Sequence, residues 1–235
     1  AAKAGEQLEP HLPKIIPKLY RYQFDPTPKV QQSMQSIWNS LVSEPTKTVD
    51  KYLREILKEL LHNLTSNQWR VRESCCFALQ DVLRGRTLED ALDVLPQIWS
   101  DLFRVMDDIK ESVRIAAAKT VSALSRTTIK MCDVAQAGQK SGEATITAVM
   151  PTLLEKGLLS TVGDVRSAAL AVIMKVTKSA GSLLKPHLSI LIPALLEATS
   201  ELEGTEIGYL SSRLANDPSI QEKLDLARIS AAKSS

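Results

Sequence analysis

Glycine is scarce in this chain, with 9 in 235 residues, and aromatics make up only 4%. Few glycines argue against a chain of tight hairpins, whose turns need positive φ. Few aromatics mean that the 44% of apolar residues must build an aliphatic core. Cysteine is limited to an adjacent pair, Cys75 and Cys76, and a distant Cys132. That is neither a disulfide framework nor a zinc spacing, and reduced thiols of a cytosolic or nuclear protein are expected. His11, His62 and His187 are scattered without metal-ligand spacing, so no metal and no other cofactor is expected. An excess of one charge is also missing: 29 Lys and Arg face 27 Asp and Glu, a net +2. Nucleic-acid binders should show a strongly basic face, so no nucleic-acid partner is expected. The longest apolar stretch, around 188–196, falls well short of the roughly 20 residues of a spanning helix. No direct membrane insertion is expected. The chain has no signal-peptide pattern and no initiating Met, and helical pattern reaches both ends. It is expected to be a piece of a longer protein.

What is present is a recurring segment. An apolar helix, usually broken by Pro, leads through a short turn into a second helix that opens on Val. The Val is followed by Arg at Val71-Arg72, Val113-Arg114 and Val165-Arg166, and by Gln at Val30-Gln31. The Val-to-Val steps are 41, 42 and 52 residues. A period near 40 with two helices per unit predicts an all-α solenoid, a right-handed superhelix of antiparallel helix pairs. One array over 1–235 is expected, with units near 8–43, 48–84, 87–132, 143–180 and 183–215 and a final helix over 217–232. Asp217 would cap that helix, with Pro218 at its first position.

The long step of 52 places about ten surplus residues between Ser125 and Thr145. Helical spacing persists to Met131, so a polar loop over 133–142, broken at Gly138 and Gly142, is expected. Thr87 three residues before Asp90 reads as a capping box. Within one unit, Val49, Leu53, Ile56, Leu57, Leu60, Leu61 and Leu64 recur at three and four, one buried stripe. Val71, Val113 and Val165 are expected to be buried, Gln139 and Ser141 exposed.

Pro17, Pro96, Pro151 and Pro193 each fall in an apolar helical run. An interior Pro removes a hydrogen bond and crowds the preceding turn, so kinks in these first helices are expected; the unit near 48–84 lacks such a Pro. Arg72, Arg114 and Arg166 would line up from unit to unit. Asp25 and Asp108 each lie five residues before the Val. An Asp of one unit facing the Arg of its neighbour would make a structural ladder, because the planar guanidinium bonds a carboxylate twice. Small residues after each Val, Ser74-Cys75-Cys76, Ala116-Ala117-Ala118 and Ser167-Ala168-Ala169, put little volume where helices cross. No nucleophile–base pair or phosphate-binding glycine loop is present, so no catalytic residue and no enzyme activity is expected. Glu197, Glu201, Glu203 and Glu206 form an acidic cluster whose simplest reading is a solvated edge.

The Pro-broken first helix, the Asp at the turn and the Val-Arg opening the second helix resemble HEAT repeats. Non-repetitive stretches carry a narrower resemblance. Leu19-Tyr-Arg-Tyr-Gln-Phe-Asp25, Gln31-Gln-Ser-Met-Gln-Ser-Ile-Trp38 and Asn67-Gln-Trp-Arg-Val-Arg-Glu-Ser74 are similar to stretches of the large proteasome adaptor and scaffold family. So are Ala78-Leu-Gln-Asp-Val-Leu-Arg84 and Glu222-Lys-Leu-Asp-Leu-Ala-Arg228. The resemblance implies a non-catalytic adaptor that tethers the proteasome core particle to its regulatory cap. It also implies surveillance of faulty proteasomes. The implied location is cytoplasmic and nuclear, with peripheral association with endoplasmic reticulum and endosomes. An importin-type HEAT-repeat transport receptor is the alternative; such receptors are acidic as a class, and this chain is near neutral.

Overall fold

The computed structural model describes residues 8–198, which are helical with no strand among them. The chain divides into two units after Leu188.

The first unit stacks helix pairs. The leading helices are α1 (Leu12–Tyr22), α3 (Pro45–Lys51) with α4 (Leu53–Leu64), α6 (Leu95–Val105), and α9 (Gln139–Thr152). The following helices are α2 (Pro28–Leu41), α5 (Trp69–Val82), α7 (Glu111–Cys132) and α10 (Gly163–Ala180). A short α8 (Val134–Ala137) lies between α7 and α9. Like packs on like: α1 on α4, α4 on α6, α6 on α9, and separately α5 on α7 and α7 on α10. Helices also pack on their own partners, α1 on α2, α4 on α5 and α6 on α7, while α10 packs on the turn Leu153–Leu158 that follows α9.

The apolar periodicity of each sequence segment decides which face goes in. In α4, Ile56, Leu57, Leu60, Leu61 and Leu64 are buried on one stripe, as their spacing predicts. In α7, Val113, Ala116, Ala117, Val121, Leu124 and Met131 are all buried. This helix packs against α5, α6, α9 and α10, so its apolar set is wide and its residues small. Each large aliphatic side chain so buried is worth about 1.5–3 kcal/mol of transfer free energy. Where α5 packs on α7, Ser74, Cys75 and Cys76 of the one helix and Ala116, Ala117 and Thr120 of the other are buried. The Thr120 hydroxyl lies 2.8 Å from both the Ala116 and the Cys76 carbonyl oxygens, linking the two helices.

The few aromatics fill the leading half. Tyr20 meets Phe24 and Trp38 edge-on, with ring centroids 5.5 and 5.6 Å apart. The Tyr20 hydroxyl donates to Asp81 Oδ2 at 2.7 Å, joining α1 to α5. Trp99 is fully buried, and its indole N–H donates to Thr128 Oγ1 at 3.2 Å.

Several expectations need correction. The segment 133–142 is helical, not a loop: α7 ends at Cys132, α8 follows, and α9 begins at Gln139. Asp133 caps α8 by accepting from the Ala135 N–H at 2.9 Å. Gly138 alone makes the joint, with φ 81°, a value that favours glycine. Gly142 is buried; a Cβ there would lie 3.0 Å from Leu183 Cδ1. Ser141 is half-buried, while Gln139 is exposed. The sequence signal missed was that the small residues of this polar stretch let two helices approach.

Val113 and Val165 are buried, but Val71 is only half-buried. The stripe containing Val49 and Leu64 is broken at Tyr52 into α3 and α4. Thr87 caps no α-helix; residues Glu89–Val94 form a 3-10 turn before α6. Pro96 therefore stands at the start of α6, where a missing N–H costs nothing. Pro17 and Pro151 do lie inside α1 and α9. After Pro151 the chain widens into a π-helical turn, Leu153–Leu158, the kind of ladder defect an interior Pro provokes.

By length and composition alone, one helical run, Gly163–Ala198, would be long enough to cross a bilayer, against the expectation of short apolar runs. Its first half is α10, packed on α7 with Val165, Ala169, Val172, Ile173 and Val176 buried. The chain then departs from α geometry at Gly181, φ 53°, entering a 3-10 turn over Gly181–His187. We read α10 as a core helix of the stack.

In the second unit, residues 189–198 are helical, with Leu191, Ala194 and Ala198 buried and Pro193 within the run. The helix expected near 207–215, the final helix over 217–232 and most of the acidic cluster lie outside the described residues.

Candidate binding surface

The turn between paired helices is built the same way each time. The residue five before the Val is Asp25, Ser66, Asp108 or Ser160. In every case its side-chain oxygen accepts from the N–H two residues on: Thr27 at 2.8 Å, Gln68 at 3.3 Å, Lys110 at 2.8 Å and Val162 at 3.2 Å. Short Asp and Ser side chains make this turn because they reach their own backbone. The Arg after the Val closes the unit. Arg72 donates to the Ser66 carbonyl at 2.7 Å, Arg114 to the Asp108 carbonyl at 2.8 Å, and Arg166 to the Ser160 carbonyl at 2.7 Å. Each guanidinium thus ties down a carbonyl six residues upstream. Gln31 takes the Arg place in the first unit, so Asp25 has the turn without the clamp.

The ladder has one rung among the described residues. Arg72 donates Nε and Nη2 to the two oxygens of Asp108 in the next unit, at 2.5 and 2.8 Å. The pair is shielded, with side-chain exposures of 16% and 7%. Burial raises the Asp108 carboxyl, but the Arg72 hydrogen bonds, the Lys110 N–H and the Arg72 and Arg114 charges outweigh it and hold its pKa below the ordinary value. Arg114 makes no rung, because the next unit offers neutral Ser160 where Asp would be needed. It is exposed and bonds only the Asp108 and Ile109 carbonyls of its own turn. The position that would receive Arg166 falls outside the described residues. Asp25 accepts from Thr27 and has no ion pair with an Arg among the described residues. Ser66, a capping candidate from its place before the helix, and Ser160 stand where Asp stands in the other two turns, and their shared spacing from the Val is the signal.

The cysteines are inert packing groups. Burial pushes the Cys75 and Cys132 thiols up to about 12 and raises Cys76 as well. A reactive cysteine needs a depressed pKa and solvent access. Among the described residues no cluster of three or more His, Cys, Asp or Glu is placed to hold a metal.

What α7 and α10 present to solvent is charged mostly in one sense. Together α7 and α10 carry seven Lys and Arg against two acids, Glu111 and Asp164, both in the first turns. The chain's near-neutral total conceals this segregation. Two clefts open on the face. One, of about 230 Å³, lies between α5 and α7 and is lined by Leu83, Arg84, Arg86, Ala123, Arg126 and Lys130, among others, with no carboxylate. The second, of about 380 Å³, lies between α7 and α10 and is lined by Ala118, Val121, Ile129, Ala168 and Ala171, with Arg126 and Lys175 also contributing. Arg126 borders both.

Stacked helix pairs that repeat one turn, with clefts between successive helices, define a solenoid whose surfaces suit protein binding. Comparison with known proteins narrows this. Residues 1–136 match a family described as stalled ribosome sensor GCN1-like, HEAT repeats. Residues 184–235 match the HEAT-repeat domain of the proteasome adapter and scaffold protein ECM29. The whole chain is 55% identical to the human proteasome adapter and scaffold protein ECM29. It is 43% identical over its full length to the proteasome-associated protein ECM29 homolog of Drosophila melanogaster. Over 86% of the chain it is 35% identical to the proteasome component ECM29 of Saccharomyces cerevisiae. The chain is a HEAT-repeat array, and it belongs to the ECM29 family of proteasome adapter and scaffold proteins. It spans 12%, 13% and 11% of the length of those three relatives.

Proposed function

We propose that this array is a non-catalytic segment of a scaffold that associates with the proteasome. The observation that carries the reading is 55% identity over the whole chain to a protein named as a proteasome adapter and scaffold. The stacked architecture supports it: buried, unreactive thiols and clefts without a nucleophile–base pair leave protein binding as the use of the surface. In the finer reading, the scaffold tethers core particle to regulatory cap and links proteasomes to endoplasmic reticulum and endosomes from a cytoplasmic and nuclear pool. The test is reconstitution. The tagged 235-residue chain is mixed with purified proteasome core particle, with regulatory cap, and with both, and each mixture is run on a native gel. Co-migration with the assembled particle supports the reading. Failure to shift any of the three overturns it for this segment, and co-purification with a transport GTPase instead would favour a transport receptor.

A further inference from the structure

We infer that the face formed by α5, α7 and α10 is a docking surface for an extended acidic segment of a partner protein. The inference goes beyond the proteasome reading and holds for any partner that carries such a segment. It starts from unneutralised charge. In the α5–α7 cleft, Lys130 has no ion-pair partner among the described residues, and Arg126 donates only to the neutral Ser122 hydroxyl, at 3.1 Å. Arg84 is 78% exposed and only 3.8 Å from Asp81, too open for a strong pair. Arg86 is already engaged, donating to Asp50 Oδ1 at 2.6 Å. Three cations therefore face a cleft with no carboxylate in its lining. Like charges gathered in a cleft focus a positive potential there.

The adjoining α7–α10 cleft supplies the second half. Its alanines leave a trough with an apolar floor between two helices, and Lys175 stands beside it. Because Arg126 borders both clefts, a chain whose carboxylates pair with Arg84, Arg126 and Lys130 can lay a neighbouring apolar side chain in the trough. A nucleic acid fits less well. Sequence-tolerant binding of single strands needs aromatic platforms for the bases, and no aromatic lines either cleft.

The experiment uses the 235-residue chain and a fluorescein-labelled peptide of about twelve residues, alternating Glu and Ser with one central Leu, at about 50 mM salt, where surface charges are weakly screened. Fluorescence anisotropy reads the affinity. The R126E/K130E variant should bind at least about tenfold more weakly. K14E/K18E changes net charge equally on α1 and should bind within about twofold of wild type. Ser122→Trp fills the trough without changing charge and should weaken binding about fivefold or more. If R126E/K130E lowers the melting temperature, Ser122→Trp alone decides. Equal losses in the two charge-reversed variants would reduce the effect to bulk charge and overturn the inference. So would no binding of the peptide, an unaffected Ser122→Trp, or tighter binding of an RNA oligomer of the same length.

Discussion

Replacing Arg72 by Ala should weaken the stack much more than replacing Arg114, although both follow the Val of their units. Arg72→Ala removes two charge-assisted bonds to Asp108 and one to the Ser66 carbonyl. It leaves a carboxylate of 7% exposure with the Lys110 N–H but without its cation. Breaking a fully buried pair costs about 3–5 kcal/mol. With Arg72 16% exposed, some water reaches the site, and about 2–3 kcal/mol is expected. Arg114→Ala removes two bonds to neutral carbonyls at an exposed turn, worth about 0.5–1 kcal/mol together once water replaces them. The contrast corrects the ladder expectation, in which all three arginines would have counted equally. Urea unfolding followed by circular dichroism measures both, and a cycle with Asp108→Asn isolates the coupling while keeping a side-chain oxygen for the turn. Equal costs for the two arginine variants, or a coupling near zero, would refute the reasoning.

Three further outcomes follow from the same geometry. Because the Asp108 pKa is depressed in the fold, the stability it confers is present above its unfolded value, about 3.9, and is lost as pH falls through the folded value. The urea-measured gap between wild type and Arg72→Ala should therefore hold steady from about pH 5 to 8 and shrink below about pH 4. Gly157→Ala would place a Cβ 2.6 Å from Ala169 Cβ and 2.9 Å from Phe103 Cε2; overpacking of this kind costs about 1–3 kcal/mol, read as a lower urea midpoint. Cys75, Cys76 and Cys132 should resist a thiol reagent in the folded chain and react promptly in denaturant, since all three are buried with raised pKa values.

The stacked pairs were legible because their cause is local and periodic. The Val recurrence marks where each following helix begins, and the three-and-four spacing of α4 marks its buried stripe. Junctions were less legible, because tertiary packing decides them. Nothing in the polar run around Gly138 announced that Gly142 would be buried beside Leu183. Pro96 resembled Pro17 in its apolar setting, yet it begins a helix because a 3-10 turn precedes it. The Asp at the turn was legible as a pairing site, but pairing needs Arg in one unit and Asp in the next, and only Arg72 and Asp108 meet that condition among the described residues. The basic face was hidden by the total charge. Charge must be counted helix by helix once the array says which helices share a surface.

Hydrogen–deuterium exchange of the 235-residue chain, alone and with purified proteasome, tests the central claim most directly. That claim is that the array is a binding scaffold engaged through its following helices. The account predicts slower exchange on complex formation in α5, α7 and α10, with α1 and α4 little changed. Unchanged exchange throughout, or slowing confined to α1 and α4, would contradict it.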